Sequence, residues 1–444
     1  MNSARLVLVG DSETSDHRAI SKIPGEAWTE IFKWTLNGQH PFDISQTQEG
    51  PWLLGRICSW FRALVVSRSP IWTNFKLDVP RRFPTRVTVP SAHSYGHLLR
   101  SVLDRSGRLP LTFTLSIRDI STSNILLPCL VKEIKRWKSA HITAPRSILG
   151  LITTENSALN MARGHPAGTA KVLKVIGLMA FPDTRGLWVR SGEVFHNTPR
   201  LRSAHLLGVL TPGIPWGKLT DLCIGKVKFS DVLDILPRCQ ELRRLRLLKG
   251  LITIPEPADS SSHSDDPAAA GLGPEEEVLT SEEGSLEEGT DQAKITLTNL
   301  EVLEFFDPEI LGYLHAPSSR VLTIETTLPF LSDFLTSSST IRVLDVVIFE
   351  FNVNALAELF PLMPEVQDLW VKVCSRAETL QGGADLLLDS LKTGLLMLKQ
   401  FTLEGEGVLF SEEKLREVLE TRKANGCALS RVEITSSLSI HSDE

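Results

Sequence analysis

The chain is 444 residues long, enough for two to four domains at roughly 100–200 residues each, or for one long repeat array. With 42% hydrophobic and 23% charged residues it can bury a sizeable core, while its apolar runs fall short of the ~18 residues of a spanning helix, so wholesale disorder and membrane insertion are excluded. The net charge of −6 conceals a segment, residues 255–293, with twelve acids and no Lys or Arg; elsewhere 41 acids face 47 bases, too mild a positivity for a nucleic-acid footprint.

Residues 1–20 read as a disordered tail, and Leu6–Val9 is too short for a signal-peptide core. Five of the nine tryptophans (28, 34, 52, 60 and 72) then crowd into one block. Pro24 to Leu36 reads as a helix: an early Pro, Glu26 at the positive end of the dipole, then Ala27, Ile31 and Trp34 at i, i+4, i+7. Residues 37–51, with Gly38, Pro41, Gly50 and Pro51, read as a loop. Trp52 to Ser67 reads as a second helix, ended by Ser69-Pro70, and Ile71 to Leu77 as a last short element.

A different rhythm follows. A short helix, Tyr95 to Arg105, ends at Gly107, and Leu111 to Ile117 alternates as a half-buried strand does. Then a hexad with apolar residues at positions 1, 4 and 6 recurs, at Trp137/Ala140/Ile142, Leu173/Ile176/Leu178, Leu201/Ala204/Leu206, Leu219/Leu222/Ile224 and Leu242/Leu245/Leu247. It returns at Leu300/Leu303/Phe305, Ile341/Leu344/Val346, Val366/Leu369/Val371, Leu398/Phe401/Leu403 and Leu429/Val432/Ile434, with a degenerate copy at Leu322/Ile324. Such a hexad at repeats near 20–29 residues is the leucine-rich-repeat signature, one strand per repeat with a helix behind it. The Asn or Cys that regular repeats place after the hexad occurs once, as Cys374, so the repeats form an irregular horseshoe or, alternatively, the hexads are buried strands of a different αβ packing. The longest interval, 58 residues from Leu242 to Leu300, contains the acidic segment, which reads as a disordered insertion. Within it Thr280-x-x-Glu283 and Ser285-x-x-Glu288 suit acid-directed kinases, so Thr280 and Ser285 are candidate phosphorylation sites.

The N-terminal block carries a family likeness. Ile23-Pro24-x-Glu26-Ala27-Trp28-x-Glu30-Ile31-Phe32, then Ile57-Cys58-Ser59-Trp60-Phe61-Arg62, then Ser69-Pro70-Ile71-Trp72-x-x-Phe75 resembles the F-box in its order of elements, and the chain is similar to large fungal families of F-box proteins with leucine-rich repeats. It departs at Ile23, at Ala27-Trp28 and at Trp60-Phe61, each replacement remaining apolar. The resemblance implies an α+β to α/β chain: a three-helix F-box at 21–77, then an irregular leucine-rich-repeat solenoid, a horseshoe, at 78–444. It further implies docking on the Skp adaptor of cullin–RING ubiquitin ligases through Ile23, Pro24, Trp28, Ile31, Ile57, Cys58 and Trp72, with the repeats recruiting a protein substrate. Surface-to-volume scaling points the same way, because so small a helical module has more large apolar surface than its own core can hide.

Chemistry is not in view. No GxxxxGK[ST], HExxH or GxSxG occurs, and the six cysteines (58, 129, 223, 239, 374, 427) form no CxxC pair. His93 and His97 share a helical face without a third ligand nearby. With no N-x-[ST] site either, the expectation is a non-enzymatic protein of the cytoplasm or nucleus, without cofactor or metal. It is a ligase substrate receptor, or alternatively a repeat-based interaction scaffold that recruits no ligase. Odd strand positions such as Arg202, Arg243, Arg246, Lys372 and Glu404 would face the target.

Overall fold

The computed structural model describes residues 23–36, 41–79, 92–118, 120–145, 149, 170–181, 195, 198–210, 213–248, 252–253, 294–305, 308–326, 331–338, 340–348, 353–373, 383–405 and 411–436. The tail 1–20 and the acidic segment 255–293, with Thr280 and Ser285, lie outside the described residues.

An N-terminal three-helix F-box followed by a leucine-rich-repeat solenoid is not the architecture found. Fourteen described strands form one parallel sheet whose strand order follows chain order, an α/β fold. The block read as purely helical supplies the first two of those strands, β1 (Phe42–Asp43) and β2 (Asn74–Val79). The reason lies in two short apolar segments. Phe42 and Ile44 are buried within what reads as a loop, and Phe75, Leu77 and Val79 alternate with Lys76 and Asp78, the period of a strand. Parallel pairing of β1 with β2, and of β2 with β3 (Leu111–Ile117), satisfies their backbone groups. The expected second helix is also two helices, α2 (Gly50–Ile57) and α3 (Ser59–Ser67), broken at Cys58, whose backbone is extended. The first helix, α1, runs Gly25–Leu36.

The chain divides into two compact units, 1–219 and 220–444. In the first, β3 follows α4 (Ala92–Arg105), and α5 (Ile120–Val131) leads to β4 (Trp137–Pro145), β5 (Val175–Phe181) and β6 (Ser203–Leu207). One cross-strand row places Phe75, Phe113 and Ala140 side by side, with Phe75 stacked on Phe113 at 5.7 Å and Trp137 edge-on to Phe113 at 5.3 Å. Leu99, Val102, Leu126 and Leu130 of the two helices are buried, with α5 packed against both α4 and β3. Parallel sheets need such a helical cover, since unpaired apolar faces are costly at about 25 cal/mol per Å².

The second unit repeats the plan with β7 (Asp221–Gly225), β9 (Arg244–Leu247), β12 (Val302–Phe305), β14 (Val321–Thr326), β15 (Val343–Ile348), β16 (Asp368–Val373), β17 (Gln400–Gly405) and β18 (Arg431–Ser436) in the sheet. The short β8 (Val227–Lys228) and β10 (Ile252–Thr253), and β11 (Ile295–Thr296) and β13 (Leu314–His315), pair separately. Helices α6 (Phe229–Ile235), α7 (Leu331–Ser337), α8 (Val353–Leu359), α9 (Gly383–Thr393) and α10 (Glu412–Ala424) lie between strands. Every hexad lands on or just before a strand. Its first residue closes a tight turn, as when Leu242 N–H donates to Cys239 O (3.2 Å), Leu300 to Leu297 (3.3 Å) and Leu398 to Leu395 (2.9 Å). Positions 4 and 6 then point into the core, where Leu245, Leu303, Leu322, Leu344 and Leu369 align in register. Among the described residues no helix is long and apolar enough to cross a membrane.

Candidate docking surface

The apolar stripe of α1 that sequence periodicity picks out, Ala27, Ile31 and Trp34, faces solvent. Trp34 is 82% exposed and Ile31 42%. A helix that packs on a core ordinarily turns such a stripe inward. Here the opposite face does the packing. Phe32 is buried, and Trp28 meets Phe61 edge-on at 5.3 Å and Trp60 at 5.7 Å, with Phe32 5.6 Å from Phe61. Edge-to-face aromatic pairs contribute about 0.5–1.5 kcal/mol each beyond their buried area. Three of the residues at which the chain departs from the F-box pattern, Trp28, Trp60 and Phe61, thus build the joint between α1 and α3.

A second fastening passes beneath the start of α1. Arg68, after α3, runs against Gly25, where an added Cβ would come within 1.8 Å of its guanidinium, and it pairs with Glu26 at 3.5 Å. Glycine at 25 is what lets the two segments approach so closely.

The neighbouring helices also turn large apolar groups outward: Leu53 and Ile57 of α2, the latter 59% exposed, and Val66 of α3. Leu53 and Ile57 stand at i, i+4, one face of α2. Arg62 of α3 holds α2 in place by donating from Nε to the Gly55 carbonyl (2.8 Å). Exposed apolar groups scattered singly are ordinary; here five stand on three successive helices, α1 to α3.

Of the seven residues carried over from the family likeness, Ile23, Pro24, Ile31 and Ile57 are exposed, Trp28 is half-buried in the aromatic joint, Cys58 is half-buried and Trp72 is buried. Cys58 Sγ accepts the Phe61 N–H (3.5 Å) as the N-cap of α3. Trp72 is 1% exposed, donates from Nε1 to Val65 O (2.9 Å), and lies edge-on to Trp52 at 4.9 Å. Arg105 of α4 sits over the Trp72 and Trp52 rings at 4.6 and 4.9 Å, a cation–π contact that ties α4 to this block. Trp34, Leu53 and Val66 were outside the carried-over set. Their signal was in the helical spacing, but spacing does not say which face of a helix is turned outward.

The sheet presents its own polar face. Arg246, Lys372 and Glu404 lie on strands at outward positions, while Arg202 and Arg243 stand just before β6 and β9. Arg246 forms a two-bond pair with Glu304 on the neighbouring strand, and Arg244 lies 3.5 Å from Asp221. His93 and His97 are both exposed on α4, and among the described residues no group of three or more His, Cys, Asp or Glu could hold a metal ion. Comparison with known proteins adds no assignment: no family model matches the chain, and no curated protein matches it significantly.

Proposed function

We propose that the protein is the substrate-recognition subunit of a Skp–cullin–F-box type ubiquitin ligase, acting in the cytoplasm or nucleus. In this reading α1–α3 dock the Skp adaptor and the polar face of the sheet receives a protein target. The observation that carries it is the outward apolar set Ile31, Trp34, Leu53, Ile57 and Val66, which stands in the block whose motif order resembles the F-box. Each such side chain, once fully covered, contributes about 1.5–3 kcal/mol, so a handful suffices for a specific contact. The chain itself performs no bond chemistry in this scheme. It raises the effective concentration of target lysines near a ubiquitin-charged subunit, and proximity does the rest.

The test is co-expression with a tagged Skp adaptor, comparing the natural chain with one carrying Ile31→Asp and Ile57→Asp. Both positions are solvent-exposed, so the fold should tolerate the charges with a melting temperature within about 2 °C of the parent. Near-equimolar capture of the parent, reduced roughly tenfold or more in the double variant, is the expected result. A folded parent chain that is not captured, or a double variant captured as well as the parent, would overturn the reading. The second reading, an interaction scaffold that recruits no ligase, draws on a specific observation: Trp72 is 1% exposed and committed to internal packing, which removes one of the seven residues from any adaptor contact.

A further inference from the structure

On the polar face of the second unit, β14 to β17 line a half-open cavity of about 270 Å³, with Val321, Val343 and Leu369 as its apolar lining. Its polar lining comes from Thr323, Asp345, Asp368, Trp370, Gln400 and Thr402. Register explains the gathering. Thr323, Asp345, Trp370 and Thr402 form one cross-strand row, and Asp368 and Gln400 belong to the row two residues earlier. Residues i and i+2 of a strand share a face, so the hexad spacing that buries the leucines also delivers these six groups to one spot.

Three properties define what would fit. Trp370 is 39% exposed, whereas the other large aromatics on the described strands of this unit, Phe305 and Phe401, are buried, and an open indole attracts cations through its ring quadrupole. Two carboxylates, Asp345 and Asp368, enter the same cavity. Of the cations nearby, Arg246 is held by Glu304, and Lys372, two residues beyond Trp370 and opposite Glu404 in the next row, offsets only part of the burial and acidic repulsion at Asp345. Size is the third. The cavity falls below the roughly 300–1,000 Å³ of drug-sized pockets, which suits a single side chain better than a free cofactor. An anion would meet net negative charge here, and an apolar group would strip water from two carboxylates without replacing it.

We propose that this cavity binds the cationic side chain of a basic segment in a protein target, a lysine or an arginine, with its charge between the Trp370 indole and the carboxylates of Asp345 and Asp368. The hydroxyls of Thr323 and Thr402 and the Gln400 amide oxygen supply acceptors for the remaining N–H groups. The inference rests on the functional reading above only in assigning the sheet face to a target, and it needs no adaptor. It also carries a pH dependence. Burial, together with the negative Glu404 and Glu304, pushes the Asp345 carboxyl up to about 6, with Lys372 acting in the opposite direction; Asp368 shares the cavity. Acidification therefore discharges one of the two anions that would hold the cation.

The experiment uses the full chain labelled with 5-fluorotryptophan, nine sites in all, with the Trp370 resonance assigned through Trp370→Phe. The probes are Nα-acetyl-lysine methylamide, its arginine counterpart, and the lysine probe acetylated at Nε. A saturable shift of the Trp370 resonance is expected with the first two and not with the third. Asp345→Asn should weaken the lysine probe about tenfold or more, and so should lowering the pH from about 7.5 to about 5. The other eight resonances report whether the Asn variant keeps its fold. An equal shift from the acetylated probe, no shift at ~50 mM probe, or undiminished binding in a folded Asn variant would each overturn the proposal. Adaptor capture is scored separately on the same protein, so lysine binding without capture sinks the ligase reading alone, and capture without lysine binding sinks this one alone.

Discussion

At Asp345 a carboxylate stands on a sheet beside an exposed indole, facing Glu404 and Glu304, with a pKa raised to about 6. The ordinary value is 3.8, so the folded chain holds this proton to higher pH than the unfolded chain does. Between about pH 4 and pH 6 stability therefore falls as pH rises, and above that window the loss is complete. Replacing Asp345 with Asn removes the charge and hence the loss. Asp345→Asn should be more stable than the parent by about 1 kcal/mol at pH 7.5, a figure discounted for partial solvent screening. The gain should vanish below about pH 4, where both states of the parent are protonated. Urea unfolding at the two pH values checks this, and a variant less stable at pH 7.5 would contradict it. A residue whose removal stabilises the fold is one the fold does not require, which accords with a binding role.

One buried side chain of helix α10 gathers five backbone carbonyls. The Arg422 guanidinium, 1% exposed, donates to the carbonyls of Leu391 (2.6 Å), Gly394 (2.9 Å), Leu395 (2.9 Å) and Leu398 (3.4 Å), and its Nε to Cys427 O (3.2 Å). Leu391 lies in the last turn of α9, and the other three belong to the turn into β17, so one cation satisfies carbonyls that the end of a helix leaves without partners. Arg422→Met keeps the length and loses every donor. It should cost about 3–5 kcal/mol, read as a lower urea midpoint with an unchanged slope, whereas a loss under about 1 kcal/mol would mean that water replaces the guanidinium. In the sequence Arg422 is one of several charged residues on a strongly polar helix, E-E-K-L-R-E-V-L-E-T-R-K-A. Nothing in that pattern separates an arginine with five carbonyl partners from an exposed one. The hexads were legible because each is a local apolar period. Arg422 was not, because four of its five partners lie 24 to 31 residues upstream. The N-terminal strands failed differently: Phe75, Leu77 and Val79 do alternate, but the likeness to a helical motif outweighed that short period.

Across the whole chain the sheet runs from β1, two residues long, to β18. Each interior strand is held on both sides, so its core residues are covered twice over. Leu344 pairs with Leu322 on one side and Leu369 on the other, and all are buried. At the far end β18 has β17 as its sheet neighbour, and Val432 and Ile434, at the hexad positions buried in every interior strand, are half-exposed. Such an edge invites pairing with another chain unless it is blunted. Arg431 and Glu433, joined by an ion pair at 2.5 Å, place charge at its outward positions. The hexad Leu429/Val432/Ile434 is as apolar as its predecessors, so sequence could identify the strand but not that, among the described residues, β17 alone pairs with it. Stability should accordingly grade along the sheet. Amides of β18 should exchange with solvent at least ~100-fold faster than those of β15 and β16, because opening β18 exposes little apolar surface while opening an interior strand breaks two ladders. Hydrogen exchange followed by mass spectrometry resolves this strand by strand. Equal protection at Val432 and Leu344 would mean that the edge is covered in solution by another chain, and a concentration-dependent mass would then identify that cover as a second copy.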